Sequence, residues 1–210
     1  MEQIHRVRCG TVNCYIIQNG SVAVLVDTGM EKHRERILKA CSPFDIRLIV
    51  LTHGHVDHVQ NAAYLSEKLH APIAINREDV PLLADNTLQP LYAQTPMGRL
   101  MHFVSMRNFR RERIPPFSPS MLLKDGDSLN AYGICAKVVA LPGHTNGSIG
   151  LDIAGHSLIV GDALMGLPRP GLPLLYHNGA AMRASAARIG GLGARILYFG
   201  HGRPAPQHAG

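Results

Sequence analysis

The sequence contains no tryptophan, and aromatic residues make up only 5% of its 210 residues. Its four cysteines form no C-x-x-C pair, so neither a redox motif nor a zinc-binding thiolate pair is predicted. No apolar run reaches the 18 residues that indicate a membrane span, and residues 1–6 lack the apolar core of a signal peptide. We therefore expect a cytoplasmic protein.

Phosphate-binding and nucleic-acid-binding motifs are also missing. The Gly-x-Gly-x-x-Gly and Lys-bearing loop patterns do not occur, and no nucleic-acid module is recognisable. A formal net charge of +6 and a pI of about 9.4 favour anionic partners, but the excess charge is concentrated in one segment. We expect a small-molecule substrate, with an anionic one favoured, and keep RNA or another phosphodiester as a minority alternative.

Five short apolar runs stop at residues that can bind a metal or carry a negative charge. They cover segments 47–52, 136–143, 157–161, 195–200 and 21–26, and they end at His53, His144, Asp162, His201 and Asp27. Short β-branched runs bounded by Gly and Pro are typical of buried strands. If these strands share one sheet edge, side chains that are far apart in the sequence converge on a single site.

The first run leads into a His-x-His-x-Asp-His motif at residues 53–58. His53 and His55 lie two apart in an extended segment and can point to the same side. Asp57 and His58 then fall at the start of a helix predicted over about 58–69. Imidazoles with a few carboxylates suit zinc and related ions, and five His and two Asp exceed the ligands of one tetrahedral ion. Two metal ions are predicted, with one ligand pair of the motif for each.

With these residues the chain resembles the metallo-β-lactamase fold superfamily, from about residue 12 to residue 202. The resemblance implies a mixed α/β (α+β) fold, a four-layer αββα sandwich with the metals at one edge. It also implies a ligand set: His53, His55 and His144 for the first metal, Asp57, His58 and His201 for the second, and Asp162 bridging both. Within this set Asp57, His58 and Asp162 are the predicted catalytic residues, whereas Asp27 is expected to support the metal loop.

The reaction that the resemblance implies is metal-dependent hydrolysis. Two divalent ions, zinc in the first place and iron or manganese as alternatives, would activate a hydroxide that attacks a thioester or other carboxylic ester. The ligand set is similar to that of glyoxalase II, lactonases, phosphodiesterases and RNA-processing nucleases, so hydrolysis of a lactone, a phosphodiester or RNA is an alternative. A mononuclear-iron persulfide dioxygenase, with iron on His144, Asp162 and either His53 or His55, is another.

The ligands spread from residue 53 to residue 201, so residues 1–210 are predicted to form a single domain. An insert at about 85–121 holds five prolines and, between residues 97 and 114, five arginines against Glu112 alone. Its apolar residues recur at roughly helical spacing, which predicts a proline-bounded helix. This helix is interpreted either as a basic cap that binds an anionic substrate or as a packed helix with a solvated face. A membrane-surface or dimerisation element is the third alternative, so a homodimer stays open.

Overall fold

Two β-sheets packed face to face dominate the computed structural model, which describes residues 2–166 and 170–207. The first sheet has six strands in spatial order: β1 (Gln3–Cys9), β2 (Val12–Asn19), β3 (Val22–Val26), β4 (Asp45–Val50), β5 (Ile73–Asn76) and β6 (Met121–Leu123). Strands β1 to β3 are antiparallel neighbours, whereas β3 to β6 pair in parallel. The parallel part therefore carries the carboxyl ends of β3, β4 and β5 to the same edge.

The second sheet has five strands. Along the chain they are β7 (Ala136–Ala140), β8 (Ile149–Ile153), β9 (Ser157–Gly161), β12 (Ile196–Phe199) and β13 (Ala205–Pro206), and their spatial order is β13-β12-β9-β8-β7. A separate pair, β10 (Met165–Gly166) and β11 (Pro170–Gly171), lies between β9 and β12 in the sequence. Strands β9 and β12 are parallel, and β8 is antiparallel to both β7 and β9, so β7, β9 and β12 all run in one direction.

Within the described residues, five α-helices cover the sheets and the site: α1 (Arg34–Cys41), α2 (Val56–Val59), α3 (Ala62–Leu69), α4 (Pro96–Arg111) and α5 (Gly179–Gly191). Short 3-10 helices occupy Glu31–His33, Arg77–Leu83 and Asn130–Tyr132. None of the helices in the described ranges combines the length and the apolar character that crossing a membrane requires.

Three apolar clusters show the layer order. Alternate residues of β2 and β3, such as Ile17 and Val24, pack against Leu151 and Ile159 of the second sheet. The other faces of β2 and β3 bury Ile16 and Leu25 against α1 and α3, through Ile37 and Leu65. On the far side, Leu158 and Leu197 pack against Ile189 of α5. The order helix, sheet, sheet, helix confirms the predicted αββα sandwich.

The helix predicted over about 58–69 is two helices in the structure, and the first begins earlier. Helix α2 already starts at Val56, and the chain leaves the helical conformation at Asn61 before α3 begins. The Asn61 amide explains the break, because it donates hydrogen bonds to the carbonyls of Thr28 (2.8 Å) and Met30 (2.8 Å) on another loop. These contacts are long-range, so helical periodicity does not reveal them.

Candidate metal centre

The ligands that the sequence predicts lie together where the two sheets meet. His53 follows β4 of the first sheet, while His144, Asp162 and His201 follow β7, β9 and β12 of the second. The backbone joins the sheets at this edge, because the Ile149 N–H donates to the Thr52 carbonyl at 2.9 Å. Strands that run in one direction thus deliver the predicted ligands to one place.

Three imidazoles form the first group of potential ligands. One donor atom from each of His53, His55 and His144 lies within 4.8 Å of the other two, and all three side chains are buried. The Nδ1 atom of His55 is 3.0 Å from Nε2 of His144. This arrangement agrees with the set expected for the first metal.

The second group consists of Asp57, His58 and His201, whose donor atoms also lie within 4.8 Å of one another. Asp162 stands between the groups. Its carboxylate oxygens are 3.5 Å from Nε2 of His144, 3.3 Å from Nε2 of His201 and 3.7 Å from Nε2 of His58. The structure therefore brings all seven predicted ligands into one cluster, with Asp162 between the two groups.

Hydrogen bonds orient four of the five imidazoles through the nitrogen that does not face the cluster. The Nδ1 atoms of His144 and His201 donate to the carbonyls of Leu175 (2.9 Å) and Thr11 (2.9 Å), and Nδ1 of His58 donates to Asp27 (2.8 Å). Each of these bonds leaves an Nε2 lone pair free to coordinate a metal.

Asp27 fixes the fourth imidazole indirectly. Its carboxylate accepts hydrogen bonds from the Thr52 backbone N–H and the Thr52 hydroxyl, both at 2.8 Å. Since that hydroxyl gives its proton to Asp27, it accepts one from Nδ1 of His53, 3.1 Å away. The expected supporting role of Asp27 agrees with these contacts, and its φ of 60° is the left-handed backbone that Asp tolerates better than most residues.

A metal-binding role would explain the buried polar atoms that have no hydrogen-bond partner. Within the described ranges, the buried side-chain atoms without a hydrogen-bond partner include Nε2 of His53, His55 and His58 and Oδ1 of Asp162. Buried polar atoms are nearly always paired, so a concentration of orphans at one point needs a cause. Nitrogen and carboxylate oxygen donors converging on one cavity are the donor set of zinc, iron or manganese.

The electrostatics of the cluster also favour bound cations. Burial lowers the pKa values of His53 and His55 well below the usual range, which keeps both imidazoles neutral and able to coordinate. For His58 burial acts in the same direction, but Asp162, Asp57 and Asp27 outweigh it and raise the pKa to about 10. The three carboxylates around His58 therefore stabilise positive charge in the cluster, as a bound cation would supply.

A cavity of about 70 Å³ gives access to the cluster. Five predicted ligands line it: His55, Asp57, His144, Asp162 and His201. The walls are mainly apolar and include Leu91, Met101, Phe109, Met165 and Leu175. Helix α4 contributes two polar side chains, Ser105 and Asn108.

The predicted proline-bounded helix of the insert is α4, which begins at Pro96 after the cap residue Thr95. Its inner face lines the cavity, but its arginines lie elsewhere. Arg107, Arg110 and Arg111 line a separate outer groove together with His102 and Phe103. Among the described residues that line the metal cavity there is no arginine or lysine.

Two polar residues that hold the metal loop escaped the sequence-based prediction. Asn86 accepts a hydrogen bond from the Val56 N–H at 2.6 Å and donates to the Gly54 carbonyl at 2.9 Å. The carboxylate of Asp79 accepts from the Gly54 N–H at 2.8 Å. Asp79 lies at the same edge of the sheet, but it stands in the 3-10 helix after β5, so no apolar run leads directly to it.

Comparisons with known proteins agree with the fold. The sequence profile of the metallo-β-lactamase superfamily matches residues 7–201. An uncharacterized protein of Mycobacterium leprae is 33% identical over 158 residues, which cover 72% of this chain and 67% of that protein. Hydroxyacylglutathione hydrolase GloC of Haemophilus influenzae is 30% identical over 142 residues, 66% of this chain and 59% of GloC. The matched regions cover 58 to 67% of the length of the mycobacterial relatives.

A solved structure with bound metal has a similar fold. The protein TTHA1623, whose crystal structure is of a di-iron-bound form, superposes with a TM-score of 0.69 at 26% identity. The superposition covers 96% of this chain and 93% of TTHA1623.

Proposed function

Because the chain belongs to the metallo-β-lactamase superfamily, we propose that it is a dinuclear, metal-dependent hydrolase that cleaves a thioester or other carboxylic ester of a small substrate. The observation that carries the proposal is the convergence of seven His and Asp side chains, several with buried and otherwise unpartnered donor atoms, in one cluster beside a cavity that five of them line. The proposed ligands are His53, His55 and His144 for one ion, Asp57, His58 and His201 for the other, and Asp162 for both.

Two divalent cations held by these ligands would supply Lewis acidity, which lowers the pKa of water from 15.7 towards about 7 and polarises a carbonyl oxygen. The protein contributes proton handling and orientation. The Asp57 side chain is 29% exposed, against 9% for Asp162, and it lines the cavity. Asp57 is therefore placed to accept a proton from water that enters the cavity, whereas Asp162 is enclosed among imidazoles.

The cavity walls favour an acyl substrate. Leu91, Phe109 and Leu175 belong to one apolar cluster that would receive a hydrocarbon part of the substrate and exclude water from it. Ser105 and Asn108 can hydrogen-bond a polar substituent. The name of the Haemophilus influenzae relative, hydroxyacylglutathione hydrolase, also favours hydrolysis of an acyl compound.

An anionic substrate remains part of the proposal, but the metals rather than the arginines would attract it. Two divalent cations exceed the negative charge of Asp57 and Asp162, so the floor of the cavity would be positive. Zinc is the proposed metal, and the di-iron form of TTHA1623 makes iron the first alternative.

The remaining sequence-based expectations stay predictions. We propose that residues 1–210 form one metallo-β-lactamase-like unit and that the insert at about 85–121 caps the site, because the inner face of α4 lines the cavity. A cytoplasmic location is predicted from the sequence alone, and a homodimer is an alternative that the sequence leaves open.

A substrate panel tests the proposed activity. The protein, reconstituted separately with zinc, iron and manganese, would be assayed on acylglutathione and acyl-CoA thioesters, simple esters, homoserine lactones, aryl phosphodiesters, RNA and a β-lactam. We expect the highest kcat/KM on a thioester or simple ester, and a loss of about a hundredfold or more in Asp162→Ala.

The control is Asp152→Asn. Asp152 lies on strand β8, and its carboxylate pairs with Arg195 at 3.0 Å, so the variant should keep the wild-type activity. A preference of more than about tenfold, or 1.4 kcal/mol, for a phosphodiester or RNA would overturn the ester assignment. Oxygen-dependent turnover of a persulfide with a single bound iron would replace hydrolysis by the dioxygenase reaction.

A further inference from the structure

Asp79 is a fully buried carboxylate outside the ligand set. It lies in the 3-10 helix Arg77–Leu83, which follows strand β5. Because β5 pairs in parallel with β4, this helix comes to the edge of the sheet where the His53 loop also begins. The position places the Asp79 side chain between two loops that carry predicted ligands of the first metal.

The Asp79 carboxylate binds both of these loops. From the loop that contains His53 and His55, the Gly54 N–H donates to Oδ2 at 2.8 Å. From the loop after His144, the Thr145 hydroxyl donates to Oδ2 at 2.6 Å, and the Gly147 N–H donates to Oδ1 at 2.7 Å. The Gln89 amide completes the set with a 3.3 Å bond to Oδ1, and its own oxygen accepts from the Asn146 N–H at 2.7 Å.

Four donors on two oxygens suit an ionised carboxylate. Each oxygen accepts one backbone N–H, from Gly54 or from Gly147, and a backbone N–H cannot reverse its polarity. An asparagine would have to turn its NH₂ group towards one of these two donors in either orientation. The site is therefore specific for an acid, although burial raises the pKa of Asp79 and the hydrogen bonds only partly offset that effect.

The backbone of both loops is shaped to fit this carboxylate. A Cβ atom on Gly147 would lie 2.6 Å from Oδ1 of Asp79, closer than a side chain can approach. A Cβ on Gly54 would lie 2.8 Å from the Asp79 carbonyl oxygen and 2.7 Å from the Leu82 side chain. Both loops thus come into direct contact with residue 79 because glycine stands at the contact point.

We infer that Asp79 is a positioning residue for the first metal, which sets the distance between the His53–His55 pair and His144 by binding the loops that carry them. The inference rests on the proposed metal-dependent function. The second metal is held differently, because His58 is oriented by Asp27 and His201 by the Thr11 carbonyl. Loss of the Asp79 bonds should therefore weaken one metal site more than the other.

Metal titration of Asp79→Asn tests this inference. Metal-free wild type and variant would be titrated with Zn²⁺ by calorimetry and with Co²⁺ by visible spectroscopy, which reports on the ligand field of each site. We expect two binding steps in both proteins, with one step at least about tenfold weaker in Asp79→Asn and restored by excess metal. Asp152→Asn removes a carboxylate on β8 and should keep both wild-type affinities.

Thr145 supplies a milder test in case Asp79→Asn does not fold, as judged by circular dichroism. Thr145→Val removes one of the four donors and should weaken the same metal step, whereas Thr145→Ser keeps the hydroxyl and should restore it. Unchanged Zn²⁺ affinities in Asp79→Asn, or in Thr145→Val where the first variant is unfolded, would overturn the role of Asp79. Equal weakening of both steps would also overturn it. A wild-type protein that binds no metal would instead contradict the proposed function itself.

Discussion

At the scale of single residues, the site depends on hydrogen bonds that fix which nitrogen of each imidazole is protonated. Asp27 has the largest share in this, because its carboxylate binds His58 directly and His53 through the Thr52 hydroxyl. The Thr11 and Leu175 carbonyls do the same for His201 and His144. Groups that orient metal-bound histidines contribute about 10–100-fold to metal affinity in other proteins.

Asp27→Asn should therefore impair metal binding without removing a ligand. An amide NH₂ in place of Oδ2 would face Nδ1 of His58 and move the imidazole proton to Nε2, the atom that is expected to bind the metal. We expect the affinity for the second metal to fall about 10–100-fold, measured by calorimetric titration of metal-free protein.

The matched control is Asp45→Asn. Asp45 is exposed and pairs with Arg47, so this variant should bind metal as the wild type does. Equal affinities in Asp27→Asn and the wild type would mean that His58 keeps its tautomer without Asp27.

At the scale of secondary-structure elements, helix α4 presents two different faces. Ser105, Asn108 and Phe109 line the metal cavity, and the Phe109 ring lies 4.8 Å from the imidazole of His55. The opposite face exposes Phe103 and Val104, at 67% and 50%, together with the arginines of the last turns. Substrate contact is therefore expected from the uncharged inner face of the helix.

Substitutions at two neighbouring positions of α4 test which face contacts the substrate. Ser105→Leu adds bulk to the wall of the 70 Å³ cavity, so kcat/KM for the preferred ester should fall about tenfold or more. Val104→Leu places the same side chain on the exposed face, where it adds one methylene group, and should alter kcat/KM less than about twofold. Steady-state kinetics with both variants, at equal metal content, gives the comparison. If both variants equal the wild type, α4 does not form the substrate-binding wall.

The strand ends explain how much of the site could be predicted from the sequence. His53, His144, Asp162 and His201 each follow an apolar run directly, so local pattern and ligand type were sufficient to group them. Asp79 follows β5 by three residues, within a 3-10 helix, and its role depends on contacts with loops 25 and 66–68 residues away in the sequence. A pattern search for ligands next to strands does not reach it.

The helix boundaries show the same limit. The break between α2 and α3 follows from the hydrogen bonds of Asn61 to the loop after β3. The arginines of α4 lie outside the cavity, because the side of the helix that lines it carries Met101, Ser105, Asn108 and Phe109. Spacing predicted that helices would form in both regions. It did not predict where the first would break or which face of α4 would line the site.

At the scale of the whole molecule, the ligands come from both sheets, so metal binding is tied to their packing. The first sheet supplies the loop with His53 to His58, and the second supplies His144, Asp162 and His201. The hairpin of β1 and β2 reaches across to the last of these, because the Asn13 N–H donates to the Gly200 carbonyl at 2.8 Å and Thr11 binds His201. Four layers of structure thus hold one cluster of donors in place.

The most direct test of this account is the number of metal ions in the protein. Elemental analysis of protein purified without chelator should find close to two transition-metal ions per chain, as the sum of zinc, iron and manganese, and Asp162→Ala should lose at least one. Asp152→Asn, which leaves the cluster intact, should keep both. A chain that holds no metal, even after dialysis against each of the three ions, would contradict the account.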